Sequence, residues 1–260
     1  MAATPPRTEN AAAVLKVFAV LESLAEARRA PLAEIAQRAM TSKTTAHRLL
    51  QTMVDLGYVE QEPETEKYGL TLKLFGLGAR VLRGQEDLLR SCDREMGRLS
   101  RATGESINLG VMDDVDQRVA YIHKYDSAYG LSMQSTLGKR NPLHSTSLGK
   151  ALLAFRDPSE IDERLALMDL RKLAPRTITD RDALRSELAA TRDRGYAEEI
   201  EESEAGVRCM AVPVMDHAGR SVAAISIAFP LVRFDETRKA EYVALLLEAG
   251  RSASAALGYS

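Results

Sequence analysis

The chain contains no tryptophan, and aromatic residues make up only 5% of its 260 residues. Proteins that hold single-stranded nucleic acids stack the bases on aromatic side chains, so this composition argues against that class. Cysteine is almost absent as well, because only Cys92 and Cys209 occur and they lie far apart in the sequence. Two such thiols form neither a CxxC pair nor a disulfide framework, and we therefore expect a protein of the reducing cytoplasm.

Long apolar runs and catalytic motifs are also missing. No run of about 18 apolar residues occurs, so we expect no membrane span. The start, "MAATPPRTEN", lacks the apolar region of a signal peptide, and residues 1–8 are predicted to form a disordered tail. Neither GxSxG, HExxH, a P-loop nor GxGxxG appears, and the histidines lack metal-ligand spacing. The sequence therefore predicts no catalytic residue, no metal site and no cofactor.

The composition that remains is that of an ordinary globular protein, with 45% hydrophobic and 28% charged residues. A chain of this length commonly forms two domains. The net charge of −2 hides an uneven distribution, since residues 1–83 carry two more basic than acidic residues and the remainder carries four more acidic than basic ones. The sign of this contrast favours an N-terminal module that binds a polyanion, joined to a neutral or acidic module.

Two amphipathic helices and a hairpin are predicted in the N-terminal region. Apolar residues repeat at helical spacing over 10–27, and Pro31 suits the first turn of a second helix. Two strand-like segments around 58–60 and 67–71 flank a polar loop, which is typical of a β-hairpin. With a third helix between these elements, the pattern predicts a winged helix-turn-helix DNA-binding domain over 9–70.

The third helix begins in "TSKTTAHRLL", where a hydroxyl of Thr41 or Ser42 can cap it, and Gly57 is placed to end it. Its inward face is predicted to consist of Ala46, Leu49, Leu50, Met53 and Leu56. A start rich in small polar and basic groups suits insertion into the major groove, although a solvent-exposed helix face is the simpler alternative. The residues that we expect to contact DNA are Ser42, Lys43, Thr44, Thr45, His47 and Arg48, together with Lys67 and Tyr68 from the returning wing strand.

A helix over 71–84 is predicted to link this domain to a second one over 85–260. The predicted helices of the second domain lie near 85–103, 147–155, 159–168, 180–194 and 235–257. Its predicted strands are 107–113, 118–126, 131–136, 208–216 and 221–230. This order predicts an α+β fold with a mostly antiparallel sheet.

Four ordered segments carry a family likeness: "SKTTAHRLLQTMVDLGYVEQ", "YGLTLKLFGLG", "RNPLHSTSLGKALLA", and "EESEAGVRCMAVPVMDHAG" followed by "AAISIAFP". Over essentially its whole length the chain resembles an IclR-type bacterial transcriptional regulator. The resemblance implies a GAF-like effector-binding domain, double-stranded operator DNA as partner, a homodimer or dimer of dimers, and a small organic acid as effector. Within the family, "EKYGLTLKLFGLGAR", "YIHKYDSAY" and "GKRNPL" are most similar to repressors of pectin and hexuronate catabolism. For that branch the implied inducer is 2-keto-3-deoxygluconate.

The resemblance also implies an effector site. A carboxylate suits the free N–H groups where "HSTSLGK" opens a helix, at Ser147 and Leu148. The residues that the family pattern gathers around the site are Met133, Ser147, Leu148, Glu199, Val207, Cys209 and Ser226. Met133, Leu148 and Val207 would form its apolar wall. Cys209 and Ser226 could instead be ordinary core residues that do not contact a ligand. The acidic run 198–204 could instead be a solvated loop.

Three positions depart from the family pattern. His47 stands where a tyrosine is expected, Ala228 where a second serine is expected, and Glu199 where an aspartate is frequent. These departures bear on base preference and on the polar lining of the effector site.

Other functions remain open at this point. The chain could regulate a different organic- or aromatic-acid pathway. Cys209 with His144 or His217 could form the nucleophile and base of a hydrolase, although no surrounding motif supports it. A protein-binding adaptor would explain the C-terminal region but not the DNA-reading helix.

Overall fold

A computed structural model describes residues 9–81, 85–133 and 136–259 of the chain. The predicted tail, 1–8, lies outside the described residues. The chain divides into two compact units, Met1–Gly84 and Gln85–Ser260. That these units act as independent domains stays a prediction.

The first unit combines helices with a small antiparallel sheet. Its helices are α1 (Glu9–Ala27), α2 (Leu32–Arg38), α3 (Lys43–Asp55) and α4 (Leu72–Val81). Its strands are β1 (Arg29–Ala30), β2 (Val59–Gln61) and β3 (Tyr68–Leu70), in the order β1-β3-β2. Strand β1 was not predicted, because two residues are too few to show the alternation by which a strand is recognised. The buried core beneath these elements includes Val20, Leu24, Ile35, Leu50, Met53 and Val59.

Local sequence signals explain where α3 begins and ends. The Ser42 hydroxyl accepts a hydrogen bond from the Thr45 N–H at 3.2 Å, so Ser42 is the N-cap. Gly57 has a φ of +74°, a conformation that favours glycine after a helix C-terminus. Leu56 is 54% exposed, so its predicted inward position is wrong. The helix ends at Asp55, which turns the next side chain away from the core.

The second unit is built on a six-stranded sheet with helices on both faces. Its strands are β4 (Ser106–Asp113), β5 (Arg118–Tyr125), β6 (Arg140–Pro142), β7 (Ala197–Ile200), β8 (Val207–Met215) and β9 (Ser221–Pro230). Its helices are α5 (Glu86–Thr103), α6 (Ser147–Ala154), α7 (Pro158–Leu167), α8 (Arg181–Arg194) and α9 (Lys239–Ala256), with 3-10 turns at Leu231–Arg233 and Glu236–Arg238. The strand order is β6-β5-β4-β9-β8-β7, and every neighbouring pair is antiparallel. The predicted α+β fold is confirmed.

Two strands of this sheet differ from the sequence prediction. The predicted strand 131–136 is wrong over its described residues, 131–133 and 136. The edge strand is β6, which pairs with β5. Strand β7 was missed because "AEEI" reads as part of a solvated acidic loop. Its neighbours in sequence are charged, but its pairing with β8 buries part of it.

Side chains alternate between the two faces of the sheet, so each face has its own hydrophobic core. Met210 and Val212 of β8 point to a cluster under α5 and α9, whereas Ala211 points to a cluster under α6 and α8. Small residues on the second face, such as Ala224 of β9, let α6 approach the sheet closely. None of the described helices is both long and apolar enough to cross a membrane.

Candidate DNA-contacting surface and effector pocket

The exposed side of α3 carries most of the predicted DNA-contacting residues. The side chains of Ser42, Lys43, Thr44, His47 and Arg48 are exposed, and that of Thr45 is half-buried. In the described part of the chain neither Lys43 nor Arg48 forms an ion pair. Both cations are therefore available to an external anion. The Ser42 and Thr45 hydroxyls lie 2.9 Å apart and hold the first helical turn.

Of the two wing residues predicted to contact DNA, only Lys67 has an exposed side chain. Lys67 is exposed immediately before β3. Tyr68 is only 2% exposed and packs in the core, so the prediction that its side chain contacts DNA is wrong. The alternation of β3 turns its ring inward, and pairing with β1 and β2 encloses its backbone. On the neighbouring strand β2, the Glu60 carboxylate lies 2.6 Å from the Arg29 guanidinium. This ion pair neutralises part of the negative charge of the wing.

The effector pocket is a cavity of about 90 Å³ between the sheet and the N-terminus of α6. It is lined by Asn108, Tyr121, Met133, Lys139, Asn141, Thr146, Ser147, Glu199, Ser203, Glu204, Val207, Cys209, Ser226 and Ala228. Six of the seven predicted residues therefore lie together. The exception is Leu148, whose side chain is 1% exposed in the core under α6 and does not form the predicted apolar wall.

The start of α6 is fixed by its cap and by a close backbone approach. Thr146 is the N-cap; its hydroxyl accepts from the Gly149 N–H at 3.1 Å and donates to the Pro142 carbonyl at 3.1 Å. A Cβ at Gly149 would overlap the backbone of Leu143, so only glycine permits this approach. The cap takes the third N–H of the helix, and those of Ser147 and Leu148 precede it at the pocket.

Glu199 lies at the inner wall of the pocket and is 1% exposed. One carboxylate oxygen accepts from the N–H of Glu202 at 3.0 Å, and the other accepts from the Ser203 hydroxyl at 2.7 Å. Burial raises the pKa of Glu199, while these hydrogen bonds oppose that shift. Burial, and then the charge of Glu199, raise the pKa of the neighbouring Cys209 thiol, which is therefore protonated at neutral pH.

Sequence reasoning missed most of the polar lining. Tyr121 lies on β5, which was predicted, whereas Lys139 and Asn141 lie just before and within β6, where the strand was placed in the wrong segment. Tyr121 could have been found, because it shares a strand face with the buried Val119. Burial raises the pKa of the Tyr121 hydroxyl well above its ordinary value.

A buried lysine supports the wall behind the pocket. Lys150 of α6 is fully buried, and its Nζ donates to the Glu202 carboxylate at 2.5 Å and to the Glu198 carbonyl at 3.0 Å. Burial raises the pKa of Glu202 to about 7, although Lys150 acts in the opposite direction. Since Glu202 also donates its N–H to Glu199, this pair ties α6 to the turn that lines the pocket.

The geometry does not assemble the hydrolase alternative. Cys209 lines the effector pocket, whereas His144 lines a different cavity and bonds the Arg171 carbonyl. His217 is exposed in the turn between β8 and β9. Across the described ranges no group of three or more His, Cys, Asp or Glu residues is placed to hold a metal ion.

Comparison with known proteins decides the family. The model of the bacterial transcriptional regulator IclR C-terminal domain matches residues 81–255, and that of the IclR helix-turn-helix domain matches residues 13–63. The chain belongs to the IclR family. It is therefore a DNA-binding transcriptional regulator, and the predicted non-enzymatic role agrees with a family of regulators.

Relatives within the IclR family are similar over nearly the whole chain. The HTH-type transcriptional regulator KdgR of Escherichia coli (strain K12) is 50% identical over 96% of this chain and 94% of its own. The Thermotoga maritima IclR structure has a TM-score of 0.79 with 31% identity, covering 95% of this chain and 98% of that one. A Microbacterium hydrocarbonoxydans IclR homologue in complex with 4-hydroxybenzoate has a TM-score of 0.77 with 28% identity, covering 94% and 98%. These similarities support a ligand-responsive transcriptional repressor.

Proposed function

We propose that this chain represses genes of sugar-acid catabolism and that a small keto or hydroxy acid, with 2-keto-3-deoxygluconate as the candidate, releases it from its operator. The observation that carries the proposal is the composition of the effector pocket. One helix N-terminus, one lysine and several hydroxyl and amide groups converge on a single cavity. This set suits a ligand with one carboxylate and several hydroxyl groups.

The N-terminus of α6 is the proposed carboxylate subsite. The N–H groups of Ser147 and Leu148 and the positive end of the helix dipole attract an anion. Lys139, on the pocket wall, adds a full positive charge. Burial of the helix end strengthens its interaction with the anion, because little water competes there, whereas the exposed Lys139 is screened by solvent.

Hydroxyl groups of the acid are assigned to the opposite wall. Ser226 and Asn108 occupy facing positions on β9 and β4, and both line the pocket. The Glu199 carboxylate accepts hydrogen bonds from Glu202 and Ser203 in the turn that follows β7. It is assigned two roles: it accepts from a ligand hydroxyl, and it holds Ser203 in position. Ala228 removes one hydroxyl that the family pattern would place here, so this lining is less polar on the β9 side.

The free pocket is smaller than the proposed inducer. An apolar cavity of about 150 Å³ accommodates benzene, and a six-carbon keto acid is larger than benzene, whereas this cavity measures about 90 Å³. Binding therefore needs either a movement of the wall or an acid that extends into the open mouth of the pocket. Met133 and Glu204 are the lining groups best able to move, because one has a flexible side chain and the other is exposed.

The DNA-binding end is proposed to work as a dimer or a dimer of dimers on double-stranded operator DNA, through the six α3 residues and Lys67. Exposed apolar side chains on α1 and α4 support contact with a second copy. They are Val14, Leu15, Phe18, Leu72, Phe75 and Leu77. Exposed apolar side chains concentrated on two helices offer a surface that a second copy can cover.

The experiment is calorimetric titration of the full chain with 2-keto-3-deoxygluconate, alone and bound to operator DNA. Linkage requires that an acid which weakens DNA binding is itself bound more weakly by the DNA complex, by the same factor. Equal affinity in the two titrations would exclude that acid as the switching ligand. An aromatic acid is the second candidate, because a relative was solved with 4-hydroxybenzoate, and the same titration with 4-hydroxybenzoate separates the two classes.

The variant Glu199→Gln tests the site itself. It keeps the shape of the side chain but removes a charged acceptor, and such a hydrogen bond contributes about 1.5–3 kcal/mol. We expect inducer affinity to fall roughly ten- to a hundredfold. Glu201→Gln is the matched control, since Glu201 lies two residues away and does not line the pocket; an equal loss in both variants would contradict the assignment.

A further inference from the structure

A second cavity, of about 220 Å³, lies in the effector-binding unit and shares no lining residue with the effector pocket. It is bounded by the turn 115–118, the segment 142–144 and the segment 167–171. The cavity is more than twice the size of the effector pocket. Nothing in the proposed inducer mechanism uses it.

Two buried acceptor atoms at this cavity have no hydrogen-bond partner among the described residues. His144 is fully buried, and its Nε2 lies 3.1 Å from the Arg171 carbonyl oxygen, which only accepts, so Nε2 carries the hydrogen. Nδ1 then presents a lone pair, and burial lowers the pKa of His144, which keeps the ring neutral. The Nδ1 atom and the Oε1 atom of Gln117 are both unbonded. Buried polar atoms in folded proteins are nearly always bonded to protein or to ordered water, so these two atoms are able to accept from a donor that enters the cavity.

The cavity is lined by one carboxylate and two guanidinium groups that form no ion pair within the described ranges. Asp169 and Arg171 are exposed, whereas Arg118 is half-buried and donates to the Arg140 carbonyl. Asp116, by contrast, lies 2.8 Å from Arg140 and is already neutralised. A ligand that enters between Asp169 and Arg171 therefore meets a carboxylate and a guanidinium together.

Apart from Arg118, the rest of the lining is apolar. Leu143 and Met168 are buried at the cavity wall, and Pro142, Leu167 and Val115 complete it. A ligand with only polar groups would leave this surface uncovered. The lining instead matches a molecule with a charged end and an aliphatic end.

We propose that this cavity is a second small-molecule site and that it binds a free α-amino acid with an aliphatic side chain. The ammonium group donates to His144 Nδ1, to Gln117 Oε1 and to Asp169. The carboxylate pairs with Arg171, and the side chain packs against Leu143 and Met168. The site is independent of the identity of the inducer, because the two cavities share no residue.

Equilibrium dialysis of the full chain with radiolabelled L-leucine tests the proposal. We expect saturable binding of one leucine per chain. Unlabelled 2-hydroxyisocaproate, which lacks the ammonium group, and L-leucinamide, which lacks the carboxylate, are expected to compete at least about tenfold more weakly, a loss of roughly 1.4 kcal/mol. If L-leucinamide competes as well as leucine, the site takes an amine or a peptide N-terminus and the amino-acid assignment is overturned.

Rim variants locate the binding without disturbing the core. Asp169→Asn and Arg171→Gln change exposed side chains, and each is expected to weaken leucine binding at least about tenfold. Lys172→Gln, at an exposed position next to Arg171 that does not line the cavity, is the matched control. Ser226→Ala, in the effector pocket, leaves leucine binding unchanged. No saturable binding at millimolar leucine, or binding that is lost in Ser226→Ala but kept in Asp169→Asn, overturns the proposal and leaves the inducer assignment untouched.

Discussion

Lys43 and Arg48 are both exposed cations on α3, yet different roles are expected from their positions. Lys43 opens the helix next to the capping Ser42, where a side chain reaches phosphate, whereas Arg48 lies one turn further along. Lys43→Ala should weaken binding to all duplexes and reduce the slope of log K against log salt by about 0.9. Arg48→Ala should instead lose about 1–3 kcal/mol of discrimination at one base pair. Fluorescence anisotropy with operator and scrambled DNA over a salt series checks both, with Lys172→Ala as control; identical behaviour of the two variants would contradict the assignment.

Glu202 is the residue whose ionisation bears most directly on stability. Its pKa in the folded chain is about 7, above its ordinary 4.5. Between these values the folded state keeps a proton that the unfolded chain has lost, so the contribution of this group to stability falls as pH rises through 7. Glu202→Gln abolishes that titration. The free energy of unfolding of the native chain, minus that of the variant, should therefore decrease from about pH 5 to pH 8.

Urea unfolding of both proteins across that pH range measures the difference. Glu204→Gln is the control from the same loop, because Glu204 is exposed and has no contact with Lys150. Its profile should run parallel to that of the native chain. A constant difference between native chain and Glu202→Gln would show that Glu202 does not titrate in this range.

At the scale of single elements, α6 depends on one glycine. Gly149→Ala places a methyl group against the backbone of Leu143, which cannot yield as a side chain would. We expect a loss of at least about 1–3 kcal/mol, the usual cost of overpacking, together with loss of effector binding as Ser147 moves. Gly76→Ala in α4 is the matched control, since nothing lies within 4 Å of the added group and alanine favours a helix by about 0.5–1 kcal/mol over glycine. Thermal unfolding of the two variants checks this, and similar melting temperatures would refute the packing argument.

The sequence was informative about elements wherever a periodic pattern was long enough. Capped helices such as α3 and α5, and the apolar strands β8 and β9, lie within a few residues of their predicted bounds. Short or charged strands were not predicted. Glu199 on β7 is buried because β7 pairs with β8, and this tertiary pairing cannot be inferred from local composition. Tyr68 shows the same limit at the DNA-binding end, since its inward orientation follows from pairing with β1 and β2.

The effector site followed a similar rule. Six of its residues were expected from the family pattern, and the four that lie on strands converge because β7, β8 and β9 are consecutive in the sheet. Lys139 and Asn141 were missed because β6 lies nearer the C-terminus than the predicted strand 131–136. The buried pair of Lys150 and Glu202 could not be predicted, because a lysine in a helix is ordinarily exposed and its partner lies 52 residues away in the sequence.

For the whole molecule, the cores of the two units share no residue. A fragment covering 85–260 should therefore fold cooperatively, bind the effector and have no affinity for DNA. Circular dichroism during urea unfolding, calorimetry with the acid and titration with operator DNA check these three expectations. A fragment that is unfolded at neutral pH under reducing conditions would contradict the predicted boundary, and the chain extended to residue 72 would then show whether α4 is required.

The scarcity of cysteine gives the whole molecule a built-in reporter. Cys92 lies on the buried face of α5, where burial raises its pKa to about 12, so a thiol reagent reaches it only on unfolding. Cys209 is half-buried and lines the effector pocket. The rate at which Cys209 is alkylated in the native chain therefore reports how often that wall opens. A bound acid should lower this rate in proportion to its occupancy. Candidate inducers can be ranked by labelling kinetics alone, before any operator sequence is known.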